Sequence, residues 1–210
     1  GRRILFGDDN VMIHPKHSHE LFEARVPLRK HWVGQASLAV LNRVENVAVM
    51  ARSGCRGLAI GFESLAPDAV RHAGKRQNQP QQYREVVRCL SDHGIAVWAS
   101  FIFGLDGDPP DAFERTVDFC IEAKVAIPIF SLLTPYPGTA LYKRLKAEGR
   151  LTKDAWWLSS DHDTDAPFYR PATVSREVLH DGWVRAWRSM YSMSSIRRRY
   201  DFGMGHSWIQ

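Results

Sequence analysis

The chain lacks any run of about 18 apolar residues, so no segment of its 210 residues reads as a membrane-spanning helix. Cysteine is scarce. The three present, Cys55, Cys89 and Cys120, are an odd and widely dispersed set. That excludes a disulfide framework and points to a reducing, cytoplasmic setting. No Walker-type phosphate loop, no Gly-x-Gly-x-x-Gly after a strand and no Gly-x-Ser-x-Gly elbow occurs, which removes the common nucleotide and hydrolase signatures. There is also no signal-peptide core and no initiator methionine. The opening Gly1-Arg2-Arg3-Ile4 reads as starting inside a strand, so a partial chain is expected.

What is present is ordinary globular material, with 44% apolar and 24% charged residues and a net charge of +5. Part of the positive excess sits in Arg197-Arg198-Arg199, read as a solvated helix end stabilised by the helix dipole. No nucleic-acid motif accompanies it, so nucleic acid is not an expected partner. His14, His17 and His19 lie close together without a cysteine or carboxylate partner to complete a zinc set, and are read as surface residues.

Hydrophobic periodicity gives alternating strands and helices. Strands are predicted at Arg3–Gly7, His31–Gln35, Gly57–Phe62, Ala96–Phe103 and Ile127–Leu133. The near-continuous apolar run Val97–Phe103 is how a strand covered by helices reads. Helices are predicted over Val40–Ser53, Gln81–His93, Thr139–Glu148 and Arg176–Tyr191. Another starts from an Asp108 N-cap and Pro109 and carries Phe113, Val117 and Cys120 on its inner face. Repeated strand–helix units imply a parallel sheet, open or part of a barrel. The character changes after residue 150, which divides the chain into residues 1–150 and a loop-rich, mostly helical tail over 151–210.

Ligands of parallel α/β folds bind at the carboxyl ends of the strands. The five predicted strands end in Asp8-Asp9-Asn10, Gln35-Ala36-Ser37, Glu63-Ser64, Gly104-Leu105-Asp106-Gly107-Asp108 and Thr134-Pro135. Each residue alone is equally a turn former or a cap. Converging on one rim, the carboxylates and amides of Asp8, Asp9, Asn10, Gln35 and Glu63 suit a ligand carrying ammonium and hydroxyl groups. Gly104 and Gly107 would let backbone approach a flat ring.

In this order the motifs resemble those of the radical S-adenosylmethionine superfamily, in the branch whose members carry an N-terminal cobalamin-binding domain. Phe6–Asn10 resembles the segment that contacts the cofactor's methionine amino group, and Trp32–Gln35 resembles the next strand. Gly54–Gly57 through Gly61–Ser64 resembles the strand whose end meets the ribose and methionyl part. Ser100–Asp108 resembles the glycine motif beside the adenine, and Leu133–Thr139 the segment leaving the last strand. The tail around Tyr191–Ile196 resembles the region after the barrel. The resemblance implies a partial parallel (β/α) barrel lacking its first unit. It implies cofactor contacts at Asp8, Asp9, Asn10, Gln35, Glu63, Ser64, Gly104, Gly107 and Thr134.

One departure stands out: the family's Cys-x-x-x-Cys-x-x-Cys loop is absent. Cys55 is placed before its strand and the other two cysteines within helices, so none is expected to bind a cluster. The implied activity is that of a fragment of a radical S-adenosylmethionine enzyme acting on a small-molecule substrate, with cobalamin-dependent methyltransfer as the expected reaction. Its [4Fe–4S] cluster and any cobalamin would be held by a preceding segment of the same protein. The competing reading is a binding or structural module that keeps a degenerate barrel.

Overall fold

The computed structural model describes residues 3–158 and 166–200. Five parallel strands lie side by side in chain order and form a half-barrel: β1 (Ile4–Leu5), β2 (Trp32–Gln35), β3 (Cys55–Glu63), β4 (Ala96–Phe103) and β5 (Ile127–Leu132). Nine α-helices are found among the described residues. They are α1 (Pro15–Arg25), α2 (Leu38–Leu41), α3 (Val44–Arg52), α4 (Pro67–His72), α5 (Tyr83–Asp92), α6 (Ala112–Glu122), α7 (Ala140–Ala147), α8 (Arg176–Met190) and α9 (Met193–Arg199).

Side chains alternate along a strand, and here the alternation sorts core from cavity. On β4, Val97, Ala99, Phe101 and Phe103 are buried beneath the helices, whereas Trp98, Ser100 and Ile102 face the concave side and are only partly covered. Phe62 of β3 shows how the convex side is packed. Its ring meets Tyr83 edge-on at 4.7 Å and stacks against Phe101 at 5.5 Å. Full burial of a side chain this size contributes about 1.5–3 kcal/mol.

Several helix boundaries differ from the periodicity, each for a local reason. The single helix predicted over Val40–Ser53 is interrupted at Asn42 and Arg43. The Asn46 side-chain amide donates to the Val40 carbonyl at 2.7 Å, in place of a continuing helical bond. Asp108 is not the N-cap of the next helix, which begins at Ala112. Its carboxylate turns inward and accepts from the Ser64 hydroxyl at 2.6 Å and the Leu105 N–H at 3.1 Å. Cys55 opens β3 rather than preceding it.

The tail closes the sheet. Tyr169, Leu179, Ala186 and Met190 belong to the same buried core as the strands. On the free edge of β5, the indole N–H groups of Trp183 and Trp187 both donate to the Phe130 carbonyl, at 2.9 and 3.0 Å. The Tyr191 hydroxyl donates to the Pro128 carbonyl at 2.7 Å. Side chains of the tail thus satisfy acceptors that a sixth strand would otherwise pair, the usual way an exposed edge is covered. Arg199 corrects the reading of the basic cluster as a solvated end. It is buried and donates to the carbonyls of Val125, Ala126 and Met190. At the other edge of the sheet, β1 has no strand beyond it among the described residues, and Leu5 is 73% exposed there.

Candidate functional site at the carboxyl ends of the strands

Because all five strands run parallel, the residues that follow them gather at one end of the sheet. Asp8, Asp9 and Asn10 follow β1, Gln35 ends β2, Glu63 ends β3, Gly104 follows β4 and Thr134 lies just beyond β5. Cys55, at the start of β3, lies at the opposite end.

Glu63 is the most constrained of these residues. It is only 8% exposed and has a positive φ of 67°, a conformation that costs a non-glycine residue about 1 kcal/mol or more. The β3–β4 register shifts between Gly61 and Glu63, and such a bulge re-aims the side chain that follows. The result is a carboxylate folded back over Gly61 on the concave face. A Cβ at position 61 would stand 2.7 Å from Glu63 Oε1, so only glycine leaves the carboxylate that place. Lys75, outside the predicted set, holds the same oxygen at 3.2 Å. Nothing in the spacing marks Lys75, because the intervening segment passes through α4 before returning to the rim.

The other rim residues divide into free and committed groups. Asp8, Asp9 and Gln35 are exposed, and among the described residues their side chains have no hydrogen-bond or ion-pair partner. Asn10 Nδ2 donates to Ser37 Oγ at 3.2 Å and its Oδ1 accepts from the Met12 N–H, so it braces the β1 and β2 ends. Ser64 is fully used: it donates to Asp108 and accepts from the Ala66 N–H at 3.0 Å. Thr134 donates to the Leu132 carbonyl at 3.1 Å.

The two glycines serve approaches within the chain. Both have positive φ, 93° at Gly104 and 97° at Gly107. A Cβ on Gly104 would collide with the Tyr169 hydroxyl and stand 2.8 Å from Leu179. One on Gly107 would stand 3.0 Å from the Ala69 nitrogen in α4. The Tyr169 hydroxyl also donates to the Gly104 carbonyl, which pins the tail onto the β4 end. Beside it, Arg150 donates to Asp106 at 2.7 Å and Arg144 at 2.6 Å, and these bonds hold the Asp106 carboxyl below its ordinary range.

Asp108 behaves oppositely. Burial pushes its carboxyl up, against the hydrogen bonds from Ser64 and from the Leu105 and Gly104 backbone. The folded state then binds more protons than the unfolded one, so this group's contribution to stability falls as pH rises above the ordinary carboxylate value of about 3.9. Ser64→Ala removes one opposing bond and should enlarge that fall. The expected cost is about 1–2 kcal/mol at pH 7 and less near pH 4, read from urea midpoints at both. A cost equal at the two pH values would show that Ser64 acts by packing alone.

Below the rim, the concave face is mostly apolar, with Val33, Ala59, Trp98, Ile102 and Ile129 alternating with Ser100 and Ser131. Val33 and the Trp98 indole both approach Gly57, at 3.4 and 3.9 Å from where a Cβ would stand. The cysteines lie elsewhere. Cys55 is buried, which pushes its thiol up to about 12, and Cys120 is likewise buried in α6 and raised. Cys89 lies in α5. Among the described residues no group of three or more His, Cys, Asp or Glu side chains could hold a metal ion, and no helix is long and apolar enough to cross a membrane.

A family model described as the radical SAM superfamily matches residues 1–120, and one described as a domain of unknown function (DUF4070) matches residues 139–206. The chain is 35% identical over 207 residues to bacteriochlorophyllide d C-12(1)-methyltransferase of Chlorobaculum tepidum, covering 99% of this chain and 44% of that protein. It is 26% identical over 215 residues to hopanoid C-2 methylase of Rhodopseudomonas palustris, covering 98% and 38%. Among solved structures, the radical S-adenosylmethionine methyltransferase TsrM from Kitasatospora setae, with cobalamin and a [4Fe–4S] cluster bound, superposes with a TM-score of 0.62 at 18% identity. That match covers 90% of this chain and 37% of TsrM. The chain therefore spans less than half the length of these relatives.

Proposed function

Because the chain belongs to the radical S-adenosylmethionine superfamily, we propose that its rim binds S-adenosylmethionine and that the protein transfers a methyl group to carbon of an apolar, ring-bearing molecule. The observation that carries the cofactor reading is the Glu63 carboxylate held over Gly61 at the end of β3. An acceptor fixed in that place suits the ribose hydroxyls or the ammonium of the cofactor. Asp8, Asp9 and Gln35, whose side chains have no partner among the described residues, would complete the acceptor set. The methyltransfer reading follows the relatives, two of which are named as methylating a bacteriochlorophyllide and a hopanoid.

When bound, S-adenosylmethionine together with a [4Fe–4S] cluster and cobalamin supplies one-electron chemistry and the methyl group. This chain's residues fit the first group and not the second. A cluster needs converging thiolates, whereas Cys55, Cys89 and Cys120 occupy a strand start and two separate helices. The cluster and any cobalamin are therefore assigned to another segment of the same protein, in a cytoplasmic setting. The rim residues would orient the cofactor, and the concave face below them offers it a mostly apolar floor.

The test uses the gene product as encoded, purified without oxygen, reconstituted with iron and sulfide, and supplied with methyl-labelled S-adenosylmethionine, reductant, cobalamin and tetrapyrrole or triterpenoid acceptors. Label is expected in a ring-bearing product, and Cys55→Ala is expected to leave iron content unchanged. Loss of the cluster on Cys55→Ala would overturn the assignment. Retained cofactor binding without any transfer would favour a non-catalytic module, the reading that the dispersed cysteines also suit.

A further inference from the structure

The concave face of the half-barrel carries two donors on β4 that nothing in the described chain uses. Trp98 and Ser100 both face that side and are only partly covered. Strand register sets their neighbours. Ser100 lies between Gly61 of β3 and Ile129 of β5, and Trp98 between Ala59 and Ile127. Adjacent strands stand about 4.8 Å apart. The Glu63 carboxylate is folded over Gly61, so Ser100 is the next side chain across the sheet from it. Trp98 stands one step lower on the same face, about 7 Å further from the rim. Its indole reaches over β3, where Nε1 comes 3.9 Å from the place of a Cβ on Gly57. Among the described residues, neither the Trp98 indole N–H nor the Ser100 hydroxyl has a hydrogen-bond partner. The indoles of Trp32, Trp156, Trp183 and Trp187, by contrast, each donate to a hydroxyl or carbonyl of the chain.

An indole nitrogen can only donate. An apolar molecule laid over Trp98 would strip water from that N–H and give nothing back, which is costly. A well-matched occupant therefore brings an acceptor with it. The surroundings, Val33, Ala59, Ile127 and Ile129, are otherwise apolar. A broad, stiff ring among them favours a flat partner, because stacking gains area at little cost in side-chain entropy. We infer that Trp98 and Ser100 are the specificity-determining residues for the methyl acceptor. A flat ring lies against the indole, and a carbonyl or carboxylate oxygen carried on that ring accepts from the indole N–H. The Ser100 hydroxyl supplies a second donor on the side toward Glu63. The location rests on strand register and on the unused donors. That the occupant is the methyl acceptor rests on the proposed methyltransfer reading, since a molecule here lies beside the group that Glu63 would hold.

The gene product as encoded is titrated with protoporphyrin IX, whose ring carries carboxylates, and with octaethylporphyrin, a similar ring without oxygen. Both are metal-free, so that no histidine can ligate them, and both are presented in the same dilute detergent while porphyrin fluorescence is followed. Protoporphyrin is expected to bind about tenfold more tightly. Trp98→Phe keeps a ring and removes the N–H, so it should erase most of that preference and leave octaethylporphyrin binding within about twofold. Trp98→Ala should weaken both, and Ser100→Ala should weaken protoporphyrin alone. Equal binding of the two porphyrins, or no saturable binding of either, would overturn the inference. So would an equal loss for both in Trp98→Phe, which packing alone would produce. Binding of S-adenosylhomocysteine to the unaltered protein is measured in parallel. If it is absent while the Trp98-dependent preference holds, the cofactor reading fails and the subsite stands.

Discussion

Replacing Glu63 by glutamine is expected to weaken S-adenosylmethionine binding by roughly ten- to hundredfold while leaving the fold nearly as stable as before. The loss follows from removing a charged acceptor held in a fixed place, where hydrogen bonds contribute about 1.5–3 kcal/mol each. The small effect on stability follows from the partner. Lys75 is 47% exposed on its side chain, so its pair with Glu63 contributes about 1 kcal/mol or less. Glu63→Gly sharpens the test. Glycine adopts the φ of 67° without strain, so it should hold or raise the unfolding midpoint while cofactor binding is lost. Equilibrium dialysis under anaerobic conditions and urea unfolding measure the two quantities. Unchanged affinity in both variants would remove Glu63 from the site. A large loss of stability in Glu63→Gly would mean that the residue is structural.

Gly104→Ala is expected to be among the most destabilising single-methyl changes in the chain, at about 3 kcal/mol or more. Two costs combine. The φ of 93° is strained for any residue with a Cβ, and the new methyl would enter space already held by the Tyr169 hydroxyl and Leu179. Tyr169 is fully buried and tied to the β4 end, so it cannot yield without loosening the tail. The double variant Gly104→Ala with Tyr169→Phe should recover part of the loss, because removing the hydroxyl relieves one collision and leaves the φ strain. Denaturant midpoints of the four proteins give the coupling between the two positions. Additive effects would show that the collision is relieved elsewhere and that backbone strain alone accounts for the cost.

The same geometry explains how much could be read from the residues alone. Strand β4 was legible almost to the residue, because Val97 to Phe103 is long, apolar and bounded by Gly94 and Gly104. The alternation Val97, Ala99, Phe101, Phe103 against Trp98, Ser100, Ile102 also carries the division between core and cavity. Strand order and the gathering of Asp8, Asp9, Gln35 and Glu63 at one end follow from the parallel arrangement of strand–helix units.

Other features depend on groups far apart in the sequence. Asp108 looks like a helix cap because aspartate before proline usually is one. Its actual partner, the Ser64 hydroxyl, is 44 residues away. Gly104 and Gly107 look like places for a ligand to approach, and positive φ was indeed required there. What fills the space beside them is decided by Tyr169 and by α4, brought in by folding. Arg199 looks solvated by its neighbours in sequence, yet it lies where three unpaired carbonyls need a donor.

The sequence by itself determined the class of fold, the direction of the strands and the end of the sheet where polar groups collect, since each depends on local periodicity and on the handedness of strand–helix crossovers. Only the tertiary structure decided which of those polar groups remain free for a ligand. Hydrogen-bond satisfaction is a property of which donors and acceptors meet in space. It engaged Ser64, Asn10 and Thr134 with other groups of the chain and paired Glu63 with Lys75, and left the side chains of Asp8, Asp9 and Gln35 without a partner among the described residues.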